Sequence, residues 1–71
     1  EQGCIEYGPT LDFDSGIKRQ APLRENTVIV VERWENIDAL MRHLTMPHML
    51  EYKNQTKDMV VDMTLHIMKE V

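Results

Sequence analysis

VIVVERWENIDALMRHLTMPH, residues Val28 to His48, decides how this chain folds. Val28, Ile29, Val30 and Val31 are four consecutive β-branched residues, which predicts a strand over Thr27–Trp34. The apolar run is continuous instead of alternating, so cover is expected on both faces at its centre. Asn36 is a helix cap, and Asp38 lies in the first turn, where the helix dipole favours a negative charge. Ile37, Leu40, Met41 and Leu44 recur at helical spacing and predict an amphipathic helix with one buried stripe. Proline is tolerated only at a helix start. The first helix therefore ends near Thr45, and a second runs from Pro47 to about Asp58. A strand that delivers Trp34 into a helix pair carrying His43 and His48 is expected to form a pocket wall.

Upstream, Cys4-Ile5-Glu6-Tyr7 alternates as a strand does. Gly8-Pro9 interrupts it and predicts an edge, a bulge or a bend, because proline removes a ladder donor. Thr10-Leu11-Asp12-Phe13 is a candidate continuation of the same strand. Asp14-Ser15-Gly16 is a turn signal. Ile17 to Asn26 reads as a loop, long for a hairpin connection and so a candidate functional or mobile segment. Downstream, Met63, Leu65 and Ile67 alternate with Thr64, His66 and Met68, which predicts a strand. The order is strand, long loop, strand, helix pair, strand. Three strands with helices on one side leave a sheet edge and a face uncovered. A β-α-β-β-α-β sandwich would add one strand and one helix before Gly3. The expectation is that this part of the domain is missing from the sequence, or that a second chain covers the gap.

The chain has 71 residues, enough for one small domain, here taken as residues 1–71. Cys4 is the only cysteine, so no disulfide forms within the chain, and a lone thiol fits a reducing cytosol. No metal-site spacing appears, which leaves oligomerisation as the expected aid to stability. Eight basic residues stand against twelve acidic ones, a net charge of −4. This argues against nucleic acid as a partner, since phosphate binding needs a basic face. No apolar run approaches the roughly 20 residues that span a bilayer. A soluble, cytoplasmic protein is expected. Lys18, Arg19 and Arg24 form the one basic cluster, read as solvated loop charge with an anion site as the alternative.

Glu1, Gly3 and Cys4, then Glu32, Arg33 and Trp34, then His43, Leu44, Pro47 and His48 follow one another as in a known family. In that order and spacing they resemble the antibiotic biosynthesis monooxygenase superfamily, especially its small quinol-monooxygenase-like members. The resemblance implies an α+β fold, a ferredoxin-like sandwich that pairs into a dimeric α+β barrel, seen here as β-β-α-α-β without the leading strand and helix. It implies a homodimer. Members of the superfamily oxygenate phenols or quinols with O2 and no metal, flavin or haem, isomerise a phosphorylated sugar, or degrade haem. The haem-degrading pattern fits poorly, because it needs a tryptophan where this chain has His43 and a histidine where it has Tyr52-Lys53. Fold alone does not choose among the others.

Cofactor-free oxygenation needs an electron-rich substrate, a dry pocket, a base and a means of stabilising the anion. His43 and His48 are the candidate catalytic bases, since imidazole titrates near neutral pH. Trp34 is the candidate ring-stacking wall, with Tyr52 as a further substrate contact. Arg33 or Arg42 is the candidate partner for the anion, although a residue next to Trp34 on a strand, as Arg33 is, points to the other face. Each has a plainer role beside it: packing for Trp34, a helix-surface or capping role for His43, and closure of the helix break for His48. His66 is a weaker candidate. A metal held by His43 and His48 is not expected, because five residues along a helix separate their faces. The methionines read as adaptable core packing, with several of them able to line an apolar pocket as the alternative, and Cys4 reads as a buried strand thiol. The alternatives to a quinol monooxygenase are a non-catalytic, stress-related module that binds aromatic ligands and a sugar-phosphate isomerase using Lys18, Arg19 and Arg24.

Overall fold

The computed structural model describes residues 2–71. Its elements follow in the order β1 (Cys4–Thr10), β2 (Ile29–Trp34), α1 (Ile37–Leu44) and α2 (Pro47–Thr56). The two strands pair antiparallel, with Cys4 opposite Trp34 and Thr10 opposite Ile29. β1 runs through Gly8 and Pro9, which lie opposite Val31 and Val30. In a two-stranded sheet every strand is an edge, so proline's missing donor costs nothing on the outer side. The strand stops at Thr10, whose hydroxyl donates to the Ile29 carbonyl at 2.7 Å, and Leu11–Phe13 belong to the loop. β2 begins at Ile29, two residues later than its sequence suggests.

Both helices begin where local chemistry requires. Asn36 caps α1 in an extended conformation, and its Oδ1 accepts the Ala39 N–H at 2.9 Å. At the other end the Thr45 N–H donates to the Arg42 carbonyl at 3.2 Å and the Met46 N–H to the His43 carbonyl at 3.1 Å. Pro47 takes the first turn of α2, where its missing N–H removes no helical bond. The loop between the strands is organised by its own side chains. Gln20 Oε1 accepts from the Ser15 amide and hydroxyl, and Gln20 Nε2 donates to the Phe13 carbonyl at 2.7 Å. Arg24 grips Asp12 with two guanidinium hydrogen bonds and its own amide.

Four expectations change. The predicted strand around Met63–Met68 is not formed: residues 62–71 pair with no strand among the described residues. An alternating pattern becomes a strand only where a neighbour offers its N–H and C=O groups, and β1 and β2 satisfy only each other. The observed order is thus β-β-α-α, a small α+β arrangement. Cover on both faces of β2 is also absent, with Val30 and Val31 44% and 50% exposed, because the helices pack only near its Trp34 end. On α1 the buried residues are Ala39 and His43, while Ile37 and Met41 face outward. The stripe is rotated by one position because a small residue is needed against Gly3, where the backbone comes closest. The methionines are not core: Met41, Met46, Met59, Met63 and Met68 are exposed, and Met49 alone is half-buried.

Candidate active site

A cavity of about 380 Å³ opens between the Trp34 end of the sheet and the helix pair. Cys4 and Tyr7 line it from β1, Trp34 from β2, His43 from α1, and His48, Met49 and Tyr52 from α2. Among the described residues the lining contains no carboxylate, lysine or arginine, and its volume is in the range of a small-molecule pocket.

His43 is the centre of this arrangement, only 3% exposed. Trp34 lies 4.6 Å from it, centroid to centroid, with the planes tilted by 40°. Tyr7 meets it edge-on at 5.6 Å and 65°. His48 lies 5.9 Å away on a third side. The sequence argument that placed the two histidines on different faces assumed one continuous helix. The break at Thr45–Pro47 folds the second imidazole back beside the first. Among the described residues no group of three His, Cys, Asp or Glu side chains is placed to hold a metal ion. Trp34 is oriented from outside the cavity, its Nε1–H donating to Glu32 Oε1 at 2.8 Å.

Of the residues expected to form the site, Trp34, His43, His48 and Tyr52 converge. Arg33 does not line the cavity; its guanidinium pairs with Glu70 at 3.1 Å on the outer face of the sheet. His66 lies in the exposed stretch that follows α2. Lys18, Arg19 and Arg24 belong to the β1–β2 loop, where Arg24 is bound to Asp12. That guanidinium lowers the Asp12 pKa to about 2, mainly by its side-chain hydrogen bonds and then by its backbone N–H, and Asp12 raises that of Arg24 in return.

Tyr7 and the accessible side of Cys4 carry no signal in the sequence pattern, whereas Met49 is one of the methionines for which a pocket-lining place is the alternative to core packing. Cys4 is a half-buried wall residue, not a buried strand thiol. Cys4 and Tyr7 are three residues apart, which on a regular strand means opposite faces. The ladder steps from Cys4–Trp34 directly to Glu6–Arg33, so Ile5 is an extra residue on β1. This β-bulge shifts the phase and turns both side chains toward the helices. Gly3, at φ +84° immediately before it, was the one local hint.

A strand end, a helix break and a ring-lined cavity between them define a small α+β domain. Residues 1–55 match the family described as antibiotic biosynthesis monooxygenase, and the chain belongs to that family. The protein named "Probable quinol monooxygenase YgiN" from Escherichia coli K12 is 33% identical over 69 residues, covering 97% of this chain and 65% of the relative. The proteins of that name from Escherichia coli O157:H7 and Shigella flexneri show the same identity and coverage. The chain therefore spans a little under two thirds of the length of these relatives. No solved structure matches it. No helix among the described residues is long and apolar enough to cross a membrane.

Proposed function

We propose that this domain oxygenates a quinol or a closely related aromatic with O2, without metal, flavin or haem. The observation that carries this reading is the meeting of two imidazoles inside a ring-lined cavity free of formal charge. Family membership and the relatives' printed name support it. The substrate ring lies along Trp34 and Tyr52. His48, the exposed imidazole, takes the phenolic proton, and the buried His43 orients it. The quinolate passes one electron to O2, and the semiquinone and superoxide join at the ring carbon beside the oxygen. The imidazolium returns its proton to the peroxide, and loss of water leaves a hydroxyquinone. Quinol plus O2 thus becomes hydroxyquinone plus water, with the reducing electrons supplied by the substrate. Because no arginine among the described residues lines the cavity, the imidazolium beside the anion is the cationic partner this reading assigns to it.

The test is oxygen uptake with a panel of reduced naphthoquinones and benzoquinones in the presence of a chelator, with ¹⁸O2 label traced into the product. Label in a hydroxyquinone is expected, and His48→Ala is expected to lower kcat about 100-fold, the usual contribution of a general base. Background rates throughout, with saturable quenching of Trp34 by the same aromatics, would leave a binding module in its place. The finer architecture belongs to the same proposal: a ferredoxin-like sandwich that forms a homodimer through its sheet, in the cytoplasm.

A further inference from the structure

The half-buried Trp34 lines the cavity, and its Nε1–H donates to Glu32 Oε1 at 2.8 Å. Glu32 is exposed and does not belong to the lining. The two residues stand two apart on β2 and therefore share a face of the strand. The extra residue of the bulge lies on β1, so this alternation on β2 is undisturbed. Strand geometry thus sets a carboxylate within reach of the indole edge. An indole has a single donor and no acceptor, and its last side-chain torsion is broad when nothing holds it. A hydrogen bond to a carboxylate is stronger than one between neutral groups and selects one orientation.

We propose that Glu32 is a positioning residue for the aromatic wall: by engaging the indole N–H, it fixes the angle of the Trp34 ring. What the wall then offers a ligand is ring surface and not a hydrogen-bond donor. The preference it creates is for flat rings that stack. Released from Glu32, the indole would turn, and its N–H would become available to the oxygens of a ligand. The consequence for ligands rests on the quinol-oxygenation reading; the fixed indole does not.

The experiment compares Glu32→Leu, which removes the acceptor, with Glu32→Gln, which keeps a side-chain oxygen. Trp34 is the only tryptophan, so its indole N–H gives one signal in a ¹⁵N-correlated NMR spectrum and its fluorescence reports on this wall alone. In Glu32→Leu the indole signal should move to the position of free tryptophan; in Glu32→Gln it should lie nearer the wild type. The Kd of 1,4-naphthoquinone, read from quenching of Trp34, should rise about fivefold in the leucine variant, the size of one aromatic pairing. The glutamine variant should recover most of that loss. With the reduced naphthoquinone, KM should rise in step and kcat change less, as for contacts made equally in ground and transition states. If Glu32→Leu loses its fold by circular dichroism, Glu32→Ala is judged in the same way. An unmoved indole signal in the variant without an acceptor would overturn the proposal, as would a glutamine variant no nearer the wild type than the leucine one. A displaced indole signal with an unchanged Kd would overturn the role of Glu32 in shaping the wall. A wild-type protein that binds naphthoquinone without turning over its reduced form would sink the activity reading alone, and the indole signals and Kd would still decide the role of Glu32.

Discussion

Gly3 is the residue on which the junction of sheet and helix depends. Its φ of +84° lies where side chains are disfavoured, and a Cβ there would sit 2.6 Å from the Cβ of Ala39. Ala39 is 1% exposed and fixed to the helix backbone, so it cannot swing aside as a long side chain would. The Gly3 carbonyl also accepts the Glu35 N–H at 2.9 Å, joining the start of β1 to the turn before α1. Gly3→Ala is therefore expected to destabilise the fold by about 2–4 kcal/mol, the sum of left-handed backbone strain and overpacking. Urea denaturation checks this, and a midpoint equal to that of the wild type would refute it. That Trp34, His43 and His48 share a pocket wall was legible because the cap and the helix break beside them are local signals. Tyr7 was not, because its direction is set by a shift in pairing with β2 that no window of β1 reveals. That Arg33 lies off this cavity was foreseeable from strand alternation alone.

Among the elements, α1 has eight residues, too few to persist in water without help from its ends and its packing. Asn36→Ala removes the acceptor for the Ala39 N–H and should cost about 1 kcal/mol. Asn36→Asp or Asn36→Ser should recover most of it, as thermal melts would show; a cap that matters only through its volume would give no such recovery. The β1–β2 loop depends on charge. Asp12 titrates near 3.8 in an unfolded chain and at about 2 when gripped by Arg24. Above 3.8 both forms are ionised, and the pair stabilises the loop in full. As pH falls from there toward about 2 the unfolded form takes up its proton first, and the stabilisation is progressively lost. Exchange of the Arg24 amide, which donates to Asp12 Oδ2 at 2.8 Å, should gain an acid-dependent opening over that interval. In Asp12→Asn that acid step should vanish; a step that survives the substitution would exclude the pair as its origin. The helix boundaries were readable from Asn36, Thr45 and Pro47 because capping is a matter of adjacent residues. The last strand was misread because a ladder requires a partner, and Met63–Met68 carries the pattern of a strand without the neighbour.

At the scale of the whole molecule the balance of surface and mass carries the argument. The chain exposes 7006 Å², about half as much again as the roughly 4600 Å² of a compact monomer of its 8.4 kDa. Much of the excess is apolar: Val31 on the outer face of the sheet, and Leu65 and Ile67 in the unpaired stretch after α2, are all half or more exposed. A stable interface buries about 800 Å² on each partner, so a second copy covering this surface would bring the molecule toward the ordinary ratio. The proposed homodimer therefore predicts that sedimentation equilibrium at micromolar concentration returns twice the chain mass. It also predicts a thermal midpoint that rises with protein concentration, since dissociation accompanies unfolding. A chain that sediments at single mass, and melts cooperatively at a midpoint independent of concentration, would show that the exposed sheet face needs no partner. The same experiment bears on the cavity, whose walls are drawn from both strands and both helices at one end of the sheet. If the sheet is completed by a second copy, quinol turnover per chain should fall on dilution together with the dimer fraction.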